Sequence, residues 1–205
     1  MTIDPTAQAL LDIRAAVFSP DAPITFKSGI VSPIYVDNRR LPYEPQAWHT
    51  IIDALRALIT TQKFTFDVIA GIETGGIPHS AALAYTMHVP SVFVRKQPKD
   101  HGTKRRVEGG DVAGRRVLLI EDLITTGGSS LSGVEALRDE GAQVVACLAI
   151  FSYGFPQSTE AFATANVPLL TLTSLAEILK AAQQTNYFTP EAIAEIENWR
   201  RQISG

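Results

Sequence analysis

The chain of 205 residues holds one cysteine, Cys147, and no apolar run near the ~18 residues that a membrane-spanning helix needs. One thiol builds neither a disulfide nor a thiolate zinc site, and its place within VVACLAI reads as a buried free thiol. The two commonest phosphate-loop patterns, GxxxxGK[ST] and GxGxxG, are both missing. Basic charge is not in excess either. Lys and Arg number 18 against 21 Asp and Glu, a net charge of −3, whereas general nucleic-acid binding needs a broad basic surface. Asp4 comes early and no apolar signal region precedes it, so the expectation is a cytoplasmic protein with no membrane or nucleic-acid partner. His49, His79 and His88 lie in helical contexts without a second ligand at metal spacing, which predicts structural or solvated roles.

What is present is concentrated in VLLIEDLITTGGSS, Val117 to Ser130. Its apolar core, bounded by Gly114 and by the turn Thr125-Thr126-Gly127-Gly128, predicts a strand buried on both faces. Leu131, Val134 and Leu137 then recur at helical spacing until Gly141. The backbone amides of Thr126 to Ser129 would lie at a helix N-terminus, where unpaired donors and the helix dipole favour a phosphate. Glu121 and Asp122 would repel that phosphate, so gripping hydroxyls is the natural task for them. A 5-phosphorylated ribose fits the pattern. The plain alternative is a strand ending in solvated acids before an ordinary turn.

A second dense feature is RKQPKDHGTKRR, Arg95 to Arg106, with six Lys or Arg and one His against one Asp. Pro98, Gly102 and Gly109-Gly110 break helix and strand patterns, which predicts a long glycine-hinged loop over about 97–110. Such loops often act as lids that exclude water. A solvated basic loop or an RNA-binding patch would carry the same charge, and a diphosphate leaving group would use it. Arg105 and Arg106 read only as contributors to the loop's field.

Around these features strands and helices alternate. Trp48, Ile51, Ile52, Leu55, Leu58 and Ile59 form a helical stripe behind Pro45, Asp67 to Ile72 reads as a buried strand, and Gly75-Gly76 turns it into an Ala-rich segment from Ser80 to Met87. PSVFVRK, RRVLLIED, QVVACLAIF and PLLTLT are the further strands, with helices at about 157–165 and 174–182. Trp48 and Trp199 sit on helical apolar stripes and read as core. The alternation predicts a mostly parallel α/β sheet flanked by helices, with ligands at the carboxyl ends of its strands.

The apolar strand, acid pair and Thr/Gly-rich turn resemble the ribose-phosphate motif of the type I phosphoribosyltransferases. Arg95, Lys96, Lys99, Asp100, His101 and Gly102 are similar to the RK..KDHG loop of the orotate phosphoribosyltransferase family, FKSGIVSPIYVDNR (Phe26 to Arg39) to its F..SG..SP.Y.D.R segment, and GIETGGIP (Gly71 to Pro78) to its diphosphate-side loop. The resemblance implies one phosphoribosyltransferase domain over 1–205, with a small N-terminal hood over about 1–40. It implies transfer of a phosphoribosyl group from 5-phosphoribosyl 1-diphosphate to orotate, with Mg²⁺ held through substrate oxygens and by no direct protein ligand, and a homodimer with shared active sites. By the same resemblance Glu121, Asp122, Leu123, Ile124, Thr125, Thr126, Gly127, Gly128 and Ser129 form the ribose-phosphate segment, and Arg95, Lys96, Lys99 and His101 hold the diphosphate. Lys99 and His101 are the catalytic candidates, and Thr125 also touches orotate. The chain departs from the longer-hooded members in two places. Glu73 and Thr74 stand where those members carry a Lys, and FSYGFPQ, Phe151 to Gln157, has no Arg. Lys27 and Arg39 are the proposed substitutes for reading the orotate carboxylate; a surface ion pair is the competing role for Arg39. A transferase for another base, or a regulator of the same fold without turnover, would share the acid-pair motif.

Overall fold

The structure is a computed structural model and describes residues 3–98 and 105–204. Helix α1 (Pro5–Asp12) is capped by Asp4, whose carboxylate accepts from the Thr6 N–H at 2.9 Å. Four short strands follow, β1 (Ala16–Phe18), β2 (Ile24–Thr25), β3 (Val31–Ser32) and β4 (Ile34–Val36), and then a 3-10 turn (Asn38–Tyr43). Helix α2 (Pro45–Gln62) buries Ile51, Ile52, Leu55 and Ile59, the stripe expected from spacing. The rest alternates: β5 (Val68–Ile72), α3 (Gly76–Met87), β6 (Ser91–Val94), β7 (Val107–Glu108), β8 (Arg116–Ile124), α4 (Gly128–Asp139), β9 (Gln143–Ser152), α5 (Pro156–Thr164), β10 (Leu169–Ser174), α6 (Leu175–Gln184) and α7 (Pro190–Ser204).

Six strands form the main sheet in the order β10-β9-β8-β5-β6-β7, parallel except for β7. Core strands β5 and β9 are buried along most of their length because helices cover both faces. Order runs outward from β5 through β6 on one side and from β8 through β9 on the other. The switch therefore falls between β5 and β8, and such a sheet leaves its ligand crevice there. The hood is two antiparallel pairs, β1 with β4 and β2 with β3, laid over that end.

Two expectations need correcting. The segment after Val94 is not irregular up to Gly110, because Phe93 pairs with Glu108 and Val94 with Val107. A two-residue edge strand is too short to reveal a period, and only the neighbouring β6 backbone makes it one. Strand β8 does not stop at the acids but runs to Ile124, since β9 continues to pair with it through Leu123 and Ile124.

Candidate active site

A cleft of about 500 Å³ opens at the carboxyl ends of β5 and β8. Glu121 to Ser130 form one wall, Glu73 to Gly75 and Lys96 another, and Phe26, Lys27, Ser28, Tyr35 and Arg39 of the hood face them. Every residue of the predicted ribose-phosphate segment is therefore in one place, joined by Lys27 and Arg39. A smaller pocket of about 170 Å³ shares Lys27, Lys96 and Ser129 with the cleft and adds Arg95 and Arg106, so one flank of the site is basic. Arg95 lies on that flank rather than on the cleft wall, 3.4 Å from Glu108. Lys99 and His101 lie outside the described residues.

Consecutive strand residues point to opposite faces, so the two acids address different neighbours. Glu121 is 4% exposed and accepts from the Ser130 hydroxyl at 2.9 Å and the Asp122 N–H at 3.1 Å. Asp122 turns toward the start of α3, where a Cβ on Gly75 would overlap its carboxylate. The buried Asn38 amide donates to the Asp122 carbonyl at 2.7 Å and so ties the hood to the acid-bearing strand. Gly127, with φ +85°, ends the turn and caps α4 without a side-chain partner, leaving backbone donors directed at the cleft.

Burial, and then the charge of Asp122, push the Glu121 carboxyl well above its ordinary range; burial also raises Asp122. A ligand in the cleft that brought hydroxyl donors to the ionised pair would relieve this. A carboxyl held above its ordinary value of 4.5 favours the folded state while protonated, and that contribution is lost as pH climbs through the raised value. Glu121→Gln, neutral throughout, is therefore expected to gain in melting temperature relative to the native chain as pH rises from about 5 to about 8 without ligand. A difference that stays constant over those melts would show that Glu121 is ionised in both states.

Arg39 donates from Nε to Asp37 at 2.7 Å and from Nη2 to the Tyr35 hydroxyl at 3.3 Å, so it makes the surface ion pair while also facing the cleft. Lys27 also faces the cleft, and among the described residues it carries no ion pair. Arg106 does more than add field. Its Nε donates to the Arg95 carbonyl at 2.8 Å and its Nη1 to Ser132 of α4 at 3.0 Å, while Glu140 accepts from the Arg106 and Val107 N–H groups. The neck of the basic loop is thereby clamped to the helix that begins at the phosphate turn.

The histidines match their expected roles. His49 pairs with Asp53 on the surface, His88 closes α3 with φ 55°, and His79 is buried, accepting from the Trp48 indole N–H at 3.0 Å. Burial lowers His79 to about 4, so it is neutral. Cys147 is fully buried and its thiol is pushed up by that burial. Sequence reasoning missed Gly75, Ser130 and Asn38. The paired glycines hinted at a close approach and Ser130 closes the acid-pair motif without revealing its bond to Glu121, whereas Asn38 acts across 84 residues that no local pattern spans.

Residues 43–161 match the family model of the phosphoribosyl transferase domain. An orotate phosphoribosyltransferase of Bacteroides thetaiotaomicron is 42% identical over 195 residues, covering 95% of this chain and 92% of the relative. The chain belongs to the orotate phosphoribosyltransferase family. Solved structures agree with the fold. A Leishmania donovani UMP synthase superposes with a TM-score of 0.82 at 27% identity over 96% of this chain, which spans only 42% of that longer protein. The Mycobacterium tuberculosis orotate phosphoribosyltransferase in complex with 5-phospho-α-D-ribosyl 1-diphosphate superposes with a TM-score of 0.65 at 29% identity, over 85% of this chain and 98% of the other. The type I phosphoribosyltransferase fold, a mostly parallel sheet flanked by helices, is thus the fold of this chain. Among its described residues no group of three or more His, Cys, Asp or Glu side chains is gathered as for a metal, and no helix is long and apolar enough to cross a membrane.

Proposed function

We propose that this cleft joins orotate to 5-phosphoribosyl 1-diphosphate, giving orotidine 5′-phosphate and diphosphate in de novo UMP biosynthesis. The observation that carries the reading is the acid pair, Glu121 buried and Asp122 partly so, beside the open amides of the α4 turn, with hood cations across the same cleft. Thr125 to Ser129 would hold the 5-phosphate, and Glu121 and Asp122 the ribose hydroxyls, with Leu123 and Ile124 forming the wall between them. Arg95 and Lys96 on the basic flank, with Lys99 and His101 of the loop, would hold the diphosphate.

Orotate would lie under the hood against Phe26 and Tyr35, touching Thr125. Lys27 is the better reader of its carboxylate, since Arg39 is already engaged by Asp37. Lys27→Met should raise the KM for orotate about tenfold and leave that for the sugar diphosphate near native, as expected for one charged hydrogen bond. An unchanged orotate KM would pass the role to Arg39.

Displacing diphosphate builds cationic character at ribose C1 and negative charge on the departing oxygens, so fixed cations beside the leaving group lower the barrier. His101 serves binding more than proton transfer, because diphosphate is already a weak base. The orotate nitrogen can lose its proton to solvent before the transfer, and no general base is assigned. Among the described residues no cage of acidic or imidazole side chains lines the cleft, which fits an Mg²⁺ whose shell is diphosphate and ribose oxygens and water, with no direct protein ligand. When bound, the ion would neutralise diphosphate charge. The reading includes a cytoplasmic homodimer with shared sites; Tyr43 and Tyr85, 88% and 82% exposed, are surfaces a second copy could cover. The test is loss of orotate ultraviolet absorbance with 5-phosphoribosyl 1-diphosphate and Mg²⁺. Sugar-diphosphate binding without orotate turnover would instead indicate another base, found by competition, or a regulator.

A further inference from the structure

The segment Phe151 to Gln157, which lacks the arginine of longer-hooded relatives, is occupied by an aromatic cluster. Tyr153 is 1% exposed, and its hydroxyl donates to the Ile34 carbonyl of β4 at 3.1 Å. Its ring lies 4.9 Å from that of Phe26 and stacks on Phe155 at 5.6 Å. Trp199 of α7 sets its edge against Tyr153 and Phe155 and donates its indole N–H to the Val31 carbonyl of β3 at 2.8 Å. Neither Tyr153 nor Trp199 lines the cleft, yet the backbone they hold carries Phe26, Lys27, Ser28 and Tyr35, which do.

Strands β2 and β3 pair over only two residues each, and an isolated hairpin of that size is at best marginal in water. Its position must come from outside. The 26–30 turn closes on itself through the Phe26 and Gly29 N–H groups, so it can move as a unit unless something fastens it. The fastenings are the Trp199 bond on Val31, and the Tyr153 and Ser32 hydroxyls, both of which donate to Ile34.

We propose that Tyr153 and Trp199 are positioning residues for the base side of the cleft: the C-terminal third of the chain sets orotate affinity from behind the hood while leaving the sugar side alone. The proposal rests on the reading that orotate lies under the hood. Sugar-side residues hang on β5, β8 and α4; β8 meets the cluster through backbone, the Tyr153 N–H donating to the Ile124 carbonyl at 3.1 Å, a bond that loss of the Tyr153 hydroxyl or the Trp199 indole leaves in place.

Tyr153→Phe keeps its ring, Trp199→Phe keeps an aromatic though smaller ring, and each removes one donor. Each is expected to raise the KM for orotate about three- to tenfold, the range for one hydrogen bond, with kcat and the KM for 5-phosphoribosyl 1-diphosphate within about twofold of native. Without substrates, amide exchange should quicken over residues 24–36 and not over 117–124. A merely structural role would move both KM values together or lower only the melting temperature, and either result overturns the proposal. Trp199 is only partly buried, so its Phe variant carries the test should Tyr153→Phe fail to fold. If the native chain does not consume orotate, the functional reading falls, and exchange decides this inference alone: unchanged protection of 24–36 overturns it.

Discussion

Lys99→Ala is expected to slow orotate turnover about 10²- to 10³-fold, the usual cost of removing one preorganised donor from a charge that develops in the transition state. The KM values should change far less, because the charge on the departing diphosphate grows as the bond to C1 breaks and the ammonium is needed most at that moment. Steady-state kinetics with both substrates saturating, and equilibrium binding of the sugar diphosphate to the variant, separate the two effects. A variant that loses binding and turnover in equal measure would make Lys99 a ground-state ligand. Were the sites shared between two subunits, as proposed, the same variant would have a second use. Mixed with a chain defective only in the acid pair, it should recover up to about a quarter of native turnover, since mixed dimers would hold one intact site. Absence of recovery after verified subunit exchange would place the loop over its own subunit's cleft.

Gly75→Ala should lower kcat/KM by about 10², although it adds a single methyl group. The backbone there, at φ −68° and ψ −35°, is open to any residue, so no conformational strain is introduced. The damage is local, because the new Cβ would occupy the space of the Asp122 carboxylate, which has to swing away from the cleft. Two charged hydrogen bonds to ribose hydroxyls would weaken with it, and each is worth about 1.5–3 kcal/mol. The expected signature is a lost affinity for 5-phosphoribosyl 1-diphosphate with a melting temperature close to native. Near-native sugar affinity would mean that Asp122 does not grip the sugar. The paired glycines thus have separate tasks: a Cβ at Gly76 would approach the Ile120 carbonyl oxygen to 2.5 Å, a clash of α3 with the sheet itself.

The clamp at Arg106 and the tether at Asn38 have a common consequence. Both connect segments that hold different parts of the reaction, the loop neck with the phosphate-turn helix in one case and the hood with the acid strand in the other. The Asn38 tether lies beyond β4, in the 3-10 turn, so it fixes that end of the hood to β8 and leaves the 26–30 turn to its own fastenings.

By itself the sequence determined the parts whose physics is local. An unbroken apolar run such as Val117 to Ile120 can only be a buried strand or helix, and the flanking glycines made it a strand. The TTGG turn ahead of a helical stripe predicted open amides at a helix start, and α4 begins there without a side-chain cap. The tertiary structure decided everything that depends on partners distant in the chain. Strand β7 exists because β6 offers it an edge, and β8 outruns the acids because β9 extends alongside. Arg39 is divided between Asp37 and the cleft, while Lys27 faces the cleft with no ion pair among the described residues. The hood is fastened by Tyr153 and Trp199 through backbone carbonyls, and a carbonyl acceptor carries no mark in the amino-acid sequence. Periodicity encodes which face of an element is buried; which element buries it, and which side chain is left facing the cleft, follows only when the chain has closed on itself.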